Sequence, residues 1–224
     1  MRNLINKLHK SKFMGGLFHT LDYCLQQELR DCGTVLDLGC GPSSPIQYCK
    51  NIKYSVGVEV FEEYLKQSKA KKIHTKYLKK DIEDLDFPAN SFDAVIMIEV
   101  LEHLSPALGR KIIRRAEKWA KKKVIITSPN GFINQKEVDN NPWQKHLSGW
   151  DYKKMRSLGF KSRGLAGIKF LRQEVKNDTM GDDLTSSIRL QPRAFWFVIA
   201  SLSQTITYYF PRLAFELFNA KYKK

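Results

Sequence analysis

The chain has 224 residues, of which 42% are hydrophobic and 27% are charged, proportions typical of a globular protein. These proportions, together with a mean hydropathy of -0.41, exclude a chain that is disordered throughout, a fibrous repeat and a polytopic membrane protein. The 38 Lys and Arg residues outnumber the 23 Asp and Glu residues and give a formal net charge of +15. This excess favours polyanionic partners such as nucleic acid, anionic lipids or phosphorylated compounds, without choosing among them.

The cysteine pattern predicts free thiols in a reducing compartment. Cys24, Cys32, Cys40 and Cys49 form no CxxC pair, and no histidine cluster lies beside them in the sequence. We therefore expect no zinc site and no other metal ion. Residues 1–13 lack the apolar segment of a signal peptide, so the sequence predicts a cytoplasmic protein.

The predicted elements begin with a helix at about 14–30, where apolar residues recur at helical spacing, within an N-terminal helical cover over 1–33. From residue 34 onward, apolar runs predict strands at 34–39, 54–60, 76–78, 93–100, 123–128 and 160–167. The segments between them predict helices at 45–50, 62–71, 107–121 and 152–158. This alternation predicts an α/β fold over 34–171, a mostly parallel sheet with helices on both faces.

The C-terminal extension, residues 172–224, contains a strongly apolar and aromatic block at 193–218. Serine, threonine and glutamine residues interrupt the run from 194 to 210, so it predicts no membrane-spanning helix. The block fits an element packed on the core, an in-plane contact with a membrane surface, or a dimer contact. Pro211 is a candidate start for a second short helix.

A run of basic residues lies on the helix predicted at 107–121 and on its exit. Glu117 is the only acid among residues 107–123, which leaves the helix poorly balanced in charge. Such a run fits a solvated helix face, or a face turned toward a membrane or another anionic partner.

A glycine-containing turn follows the first predicted strand, in the segment TVLDLGCG at 34–41. Gly39 and Gly41 allow a tight turn and a close approach of a ligand, and open parallel sheets bind ligands beyond the carboxyl ends of their strands. Asp37 would repel a pyrophosphate and suits a cationic or hydrogen-bond-donating ligand. A dinucleotide site would also have a third glycine, where this chain has Ser44.

Two more acidic residues follow the next two predicted strands. Glu59 ends the second strand, where a carboxylate can accept both hydroxyls of a ribose. Asp81 follows the third strand, where it can accept a hydrogen bond from an adenine amino group. Taken singly, each could be a strand-end or helix-capping residue, and the glycines could be ordinary turn residues. Their coincidence at three neighbouring strand ends predicts a nucleoside-binding site.

This constellation resembles the class I S-adenosylmethionine-dependent methyltransferases, in particular their type 11-like domain. The matching segments, in order, are LDLGCG (36–41), VGVEV (56–60), KKDIEDLDFPANSFDAVIMIEVLEHL (79–104) and VIITSPN (124–130). The resemblance covers roughly residues 34–167. It implies a Rossmann-like class I methyltransferase fold, S-adenosyl-L-methionine as cofactor, and a seventh strand somewhere after Gly167 that the sequence does not place.

The resemblance also implies a role for each site residue. Residues near the methionine part of the cofactor would be Asp37, Gly39 and Glu99, while Gly41 would let the cofactor lie against the turn. Glu59 would hold the ribose. Asp81 and Ile82 would flank the adenine.

Two histidines are the candidate catalytic residues. His103, in VLEHL at 100–104, is the best-placed general base, although it could instead pack or cap at a helix start. The long loop at 129–151 contains His146 in an HxSGW element, where it could orient or deprotonate a hydroxyl. Alternatively, the loop is a lid whose aromatic residues cover the site. Its other candidate substrate contacts are Asn130, Asn141, Gln144 and Trp150.

The sequence thus predicts methyl transfer to a small-molecule, lipid-linked or glycan acceptor, with oxygen as the first expectation. The segment IEVLEH (98–103) differs from the Pro-Pro-aromatic motif of the methylases that act on base amino groups, so nucleic acid is a less expected partner. The net charge keeps RNA or protein methylation as an alternative. A non-catalytic, membrane-associated cofactor-binding protein is the other alternative, and peripheral membrane contact through the C-terminal extension fits either. The oligomeric state is not indicated.

Overall fold

The computed structural model describes residues 12–173 and 187–223 of the chain. Over these residues the helices are α1 (Lys12–Phe18), α2 (Leu21–Glu28), α3 (Glu62–Ala70), α4 (Pro106–Trp119), α5 (Tyr152–Ser157) and α6 (Arg193–Thr207). The strands are β1 (Thr34–Leu38), β2 (Tyr54–Glu59), β3 (Lys76–Lys79), β4 (Phe92–Ile98), β5 (Ala120–Pro129), β6 (Lys161–Ile168) and β7 (Ala214–Tyr222).

The strands of the described residues form one mixed sheet in the order β3-β2-β1-β4-β5-β7-β6. The first five strands in this order pair in parallel, whereas β7 runs antiparallel to both β5 and β6. The predicted Rossmann-like, mostly parallel sheet is therefore confirmed. The order reverses around β1 and β4, so a crevice opens beyond their carboxyl ends, where open α/β sheets bind their ligands.

The seventh strand comes from the segment that the sequence analysis described as an apolar block with a helix from Pro211. That helix prediction is wrong, because Pro211 begins a single 3-10 turn, Pro211–Leu213, and the chain then extends into β7. The strand lies between β5 and β6, and its residues Leu217 and Phe218 are buried in the core. The sheet therefore includes residues both of the predicted core, 34–171, and of the predicted C-terminal extension, 172–224.

The N-terminal segment forms two helices rather than the single predicted one. His19 has a φ of 48°, which breaks the helix between α1 and α2. Thr20 then caps α2, because its side chain accepts a hydrogen bond from the N–H of Tyr23. The buried side chains Leu25 and Leu29 pack with the core on one face of the sheet.

The helix predicted at 45–50 is also shorter than expected. Only Pro45–Tyr48 is helical, as a 3-10 turn, and Cys49 already has an extended backbone. Ser44 caps the turn and accepts a hydrogen bond from the N–H of Ile46. This short turn lies directly after the glycine-containing loop and leaves the space above β1 open.

The C-terminal helix α6 packs closely on the edge strand β6. A Cβ atom on Gly164 would lie 2.2 Å from the carbonyl oxygen of Thr207, and one on Gly167 would lie 2.2 Å from that of Ala200. These glycines therefore permit the helix to approach the strand. Among the described residues, no helix is long and apolar enough to cross a membrane.

Candidate active site

A cavity of about 880 Å³ lies beyond the carboxyl ends of β1, β2 and β4. Its wall contains every residue that was predicted to bind the cofactor or to act in catalysis, namely Asp37, Gly39, Gly41, Glu59, Asp81, Ile82, Glu99, His103 and His146. The volume is at the upper end of the roughly 300–1,000 Å³ of typical ligand pockets.

The turn after β1 requires its glycines. Gly39 and Gly41 have φ values of 68° and 56°, in the region that other residues adopt only with strain. A Cβ atom on Gly39 would lie 2.7 Å from Cγ2 of Val100. A Cβ atom on Gly41 would meet nothing within 4 Å, so the backbone at this position borders open space that a ligand can fill.

Glu59 connects the end of β2 to this turn. Its carboxylate accepts hydrogen bonds from the N–H of Gly41 at 3.0 Å and from the N–H of Phe61 at 2.9 Å. Burial raises the pKa of the carboxyl, while these backbone donors act in the opposite direction. The side chain is therefore held in place at the turn by neutral donors.

Asp37 is buried at the end of β1, beneath the turn. Its carboxylate accepts a hydrogen bond of 2.5 Å from Oγ of Ser44, and Nε2 of His74 lies 3.4 Å away. Burial raises the pKa of Asp37 to about 7 and lowers the pKa of His74 to about 4. The contact between Asp37 and His74 is therefore not an ion pair at neutral pH. A cationic ligand group beside Asp37 would favour its ionised form.

Asp81 and Ile82 form the wall beyond β3. The carboxylate of Asp81 accepts a hydrogen bond of 2.8 Å from the N–H of Glu83 and caps the 3-10 turn Ile82–Asp84. Ile82 is buried beside it and offers an apolar face. Asp81 thus caps the turn and also lines the cavity.

Beyond β4, the cavity is acidic. Glu99 has a φ of 53°, and its N–H donates to the carbonyl oxygen and Oγ1 of Thr127. Among the described residues, neither Oε1 of Glu99 nor Oε2 of Glu102 has a hydrogen-bond partner, although both atoms are buried. Burial raises the pKa of Glu102 to about 8 and raises those of Glu99 and Glu216, which lies on β7.

The two candidate catalytic histidines meet at this acidic end. The ring centroids of His103 and His146 lie 4.8 Å apart. Nδ1 of His103 lies 3.3 Å from the carbonyl oxygen of Lys145, and Nδ1 of His146 lies 2.7 Å from that of Ile133. Burial lowers the pKa of both imidazoles, that of His103 to about 4, so both are neutral at pH 7.

The segment 146–150, HLSGW, holds His146 beside His103. Oγ of Ser148 and Nε1 of Trp150 both donate to the carbonyl oxygen of Leu101, at 3.1 Å and 3.0 Å. The N–H groups of Leu147 and Ser148 donate to the carbonyl oxygen of Glu102. The loop is therefore fixed to the turn that carries His103, and Trp150 is a buried structural residue rather than an exposed substrate contact.

The other candidate substrate contacts from the loop are of two kinds, a residue that supports the fold and residues that line the cavity. Asn130 is buried, and its Nδ2 donates to the carbonyl oxygens of Pro211 and Ala214, so it supports the fold. Asn141 and Gln144 lie in the cavity wall.

Sequence reasoning missed Glu102, Glu216 and Arg172, which also line the cavity. Glu102 could have been found, because it is next to His103 in the segment that was singled out. Glu216 was hidden in the apolar block, because only the fold brings β7 to the site. Arg172 donates from Nε to the carbonyl oxygen of Ala166, and its charge lowers the pKa of Glu216 against the larger effect of burial.

Comparison with known proteins agrees with this geometry. Residues 36–127 match a family described as "Methyltransferase domain". Similar solved structures include a SAM-dependent methyltransferase from Archaeoglobus fulgidus, with 18% identity over 94% of this chain and 98% of that chain and a TM-score of 0.51. The methyltransferase domain of bacterial CtHen1-CN has 15% identity over 91% and 97% of the two chains and a TM-score of 0.52.

A third similar structure is the plantazolicin methyltransferase BpumL in complex with SAH, with 11% identity over 95% of this chain and 84% of that chain and a TM-score of 0.52. At such low identities these likenesses establish the fold alone. The comparison with curated proteins gave no match.

The strand order with its reversed β7 is that of the class I methyltransferase fold, and residues 36–127 carry the match to the methyltransferase domain. The protein is an S-adenosylmethionine-dependent methyltransferase. The chain carries this methyltransferase domain, and its cofactor is S-adenosyl-L-methionine. The predicted fold, cofactor and enzyme class are thus confirmed.

Proposed function

We propose that the enzyme transfers the methyl group of S-adenosylmethionine to an oxygen atom of a small-molecule, lipid-linked or glycan acceptor. The observation that carries this proposal is the pair of imidazoles, His103 and His146, whose ring centroids lie 4.8 Å apart in the wall of the 880 Å³ cavity. A hydroxyl must lose its proton to become a strong nucleophile, whereas a neutral amine already has a free electron pair. Groups that activate a hydroxyl therefore favour oxygen over nitrogen.

The cofactor would lie along the strand ends. We assign the methionine part to Asp37 and Gly39, since a buried carboxylate with a raised pKa gains most from a neighbouring ammonium group. The cofactor would lie against the backbone of Gly41, in the open space beside this residue. Glu99 would lie near the sulfonium end, because it follows β4 on the same edge of the sheet.

The adenosine part of the cofactor would extend away from the methionine part, along the ends of β2 and β3. Glu59, already fixed by two backbone donors, would accept the ribose hydroxyls. Asp81 would accept the adenine amino group, and Ile82 would pack against the ring. In this arrangement the methyl group points toward His103 and His146. The carbon–sulfur bond breaks as the oxygen–carbon bond forms in line, and the enzyme chiefly aligns the three atoms and excludes water.

The acceptor class can be tested with a radiolabelled methyl donor. Purified enzyme is incubated with S-adenosylmethionine labelled on the methyl group and with separate lipid, polar small-molecule, glycan, RNA and protein fractions of cells. We expect label in one of the first three fractions, as a methyl group bound to oxygen. Label confined to RNA or protein would contradict the proposed acceptor class and support the alternative that the net charge suggests.

We also propose that the enzyme binds anionic membrane surfaces through the outer face of α6. Phe195, Val198, Leu202 and Ile206 are exposed there at helical spacing, and no helix of the described residues is long and apolar enough to cross a membrane. The same exposed strip continues through Tyr209, Phe210 and Leu213 after the helix. The net charge of +15 favours an anionic lipid over a neutral one.

Vesicle sedimentation tests this surface. The wild-type protein should sediment with vesicles of phosphatidylcholine and phosphatidylglycerol, less with phosphatidylcholine alone, and less again in high salt. The double substitution Val198→Asp with Leu202→Asp should lower binding by at least about 10-fold, because two charges enter the apolar strip. Tyr54→Asp, at an exposed site on β2, is the matched control. Equal binding of all three proteins, or none, would contradict the proposal.

A further inference from the structure

We propose that Glu102, His103 and His146 form a binding site for a divalent metal ion at the methionine end of the cavity. The cysteine pattern led to the expectation that the chain binds no metal, and this site lies elsewhere, on residues that sequence reasoning treated separately. The inference that the ion activates the acceptor rests on the proposed function, but the binding of the ion does not.

The three side chains converge. Each offers one ligand atom, and these three atoms lie within 4.8 Å of one another. Two atoms bound to the same metal at about 2.1 Å lie up to roughly 4.2 Å apart. Small side-chain rotations would therefore complete the site without a change in the backbone.

The hydrogen bonds of the imidazoles prepare them as ligands. Nδ1 of each ring faces a backbone carbonyl oxygen, that of Lys145 for His103 and that of Ile133 for His146. A proton on Nδ1 would donate to these carbonyls and leave the lone pair of Nε2 free for a metal ion. Metal-binding histidines are usually oriented by this kind of second hydrogen bond.

The carboxylates supply the second, independent observation. Oε2 of Glu102 is buried and has no hydrogen-bond partner among the described residues, and the same is true of Oε1 of Glu99 nearby. An unpaired buried carboxylate is costly, and a cation removes that cost. A proton shared between the two acids would satisfy them alone, but it would not account for the convergence of His103 and His146 on Glu102.

The loop that brings His146 to the site is rigid. The N–H groups of Leu147 and Ser148 donate to the carbonyl oxygen of Glu102 at 2.7 Å and 3.0 Å, so the loop is attached to the backbone of the first ligand itself. Ser148 and Trp150 add further hydrogen bonds to Leu101. The HLSGW segment therefore holds ligands from two distant parts of the sequence in one fixed arrangement, which favours metal binding.

The ligand set indicates the kind of metal and its use. Two imidazole nitrogens and a carboxylate oxygen suit Mn²⁺, Co²⁺ or Zn²⁺ better than Mg²⁺, which prefers oxygen ligands. Three protein ligands leave positions open for an acceptor oxygen. A hydroxyl bound there would lose its proton to water more readily, because the cation lowers its pKa. The resulting oxygen would attack the methyl carbon and release S-adenosylhomocysteine.

Metal titrations test the site directly. Purified protein is freed of metal with EDTA and titrated with Mn²⁺, followed by the loss of the free Mn²⁺ signal in electron paramagnetic resonance, and with Co²⁺, followed by its visible absorption. We expect one ion per chain. His146→Ala and Glu102→Gln should each weaken binding by more than about 100-fold, since changes outside the ligand shell alone cost about 10–100-fold. Glu63→Gln, at an exposed site on α3, should leave the metal affinity unchanged.

Binding of S-adenosylmethionine in the presence of EDTA separates the possible failures. A variant that still binds the cofactor is folded, so loss of metal binding in it is specific. If wild-type protein binds the cofactor but no Mn²⁺ or Co²⁺, or if the ligand variants bind them as tightly as wild-type protein, the metal site is refuted and the proposed function stands. If it binds the metal ion and not the cofactor, the metal site stands and the proposed function is refuted.

Discussion

The strand-end carboxylates are held in place by neutral donors. Glu59 accepts two backbone N–H groups, Asp81 accepts one, and Asp37 accepts the hydroxyl of Ser44. Such donors orient a carboxylate without neutralising its charge, so it can still attract hydrogen-bond donors of a ligand. At the scale of single residues, this explains how a basic protein keeps an acidic binding cavity.

Glu59 should contribute measurably to cofactor affinity. We expect Glu59→Gln to weaken S-adenosylmethionine binding by about 10-fold or more, because a charge-assisted hydrogen bond contributes about 1.5–3 kcal/mol. Isothermal titration calorimetry measures the change. Glu63→Gln, an exposed substitution on α3, is the control. Unchanged affinity in Glu59→Gln would remove this residue from the site.

Asp37 should make cofactor binding depend on pH. The pKa of Asp37 is about 7 in the free protein. An ammonium group of the ligand can therefore pair with its carboxyl only after the carboxyl has lost its proton. Affinity should rise by up to 10-fold per pH unit from pH 5 to about pH 7 and then level off, until the cofactor's own amino group loses its proton near pH 8. Glu59 lies close by and acts in the same direction, because burial also raises its pKa.

Affinity measured from pH 5 to 8 checks this expectation. The Asp37→Asn variant should bind more weakly and show a much flatter rise. In the free protein, the contribution of Asp37 to stability should show the opposite trend. Because the folded pKa lies above the unfolded value of about 3.9, the contribution of Asp37 to stability falls as the pH rises from about 4 to 7. A pH-independent affinity in the wild-type protein would argue against contact between Asp37 and the cofactor.

At the scale of elements, the sequence predicted the central strands well. β1, β2, β4 and β5 are buried on both faces, so they are continuous apolar runs in the sequence. The antiparallel strand β7 was missed, because it follows a helix within one long apolar block. The break between α1 and α2 was missed as well, since it depends on the left-handed backbone at His19.

The site followed the same rule. Residues in local motifs, such as Asp37, Gly39 and Glu59, could be placed beside the cavity from the sequence, while their roles toward the cofactor stay predictions. Contacts across long separations could not. The meeting of His103 with His146 requires the HLSGW loop to fold back on the turn at Leu101, which no local pattern indicates.

Lys123 shows how an element is connected to its neighbours. The sequence grouped it with an exposed basic run, but it is buried at the start of β5. Its Nζ donates to the carboxylate of Asp31 at 2.7 Å and to the carbonyl oxygen of Glu28 at 2.8 Å. It therefore attaches the C-terminal end of α2 to the sheet.

Lys123→Met should lower the free energy of unfolding by about 2–3 kcal/mol, because it leaves charged and polar partners without a donor. Urea denaturation at pH 7 measures this. Lys121→Met, exposed on the same strand, should change stability by less than about 0.5 kcal/mol. The lysine lowers the pKa of Asp31, so the difference should persist above about pH 4 and shrink as Asp31 is protonated in more acidic solution. Equal stabilities would show that this connection is dispensable.

At the scale of the whole molecule, part of the positive charge is balanced within the fold. Lys111 pairs with Glu83 at 2.9 Å, and Lys118 lies 3.8 Å from Asp86. Both pairs are exposed, and such pairs contribute little to stability. The basic run on α4 is therefore in part a solvated face with local partners. The exposed apolar strip on α6 is a separate feature of the surface, on a different helix.

Calorimetric titration of the purified protein with S-adenosylmethionine and with S-adenosylhomocysteine tests the central claim, that the strand-end acids and the glycine turn hold this cofactor. We expect each compound to bind to one site per chain, with affinity reduced in Glu59→Gln and in Gly41→Ala, whose added Cβ would occupy the open side of the turn. Absence of binding by either compound at about 1 mM, the upper end of typical KM values, would contradict the account.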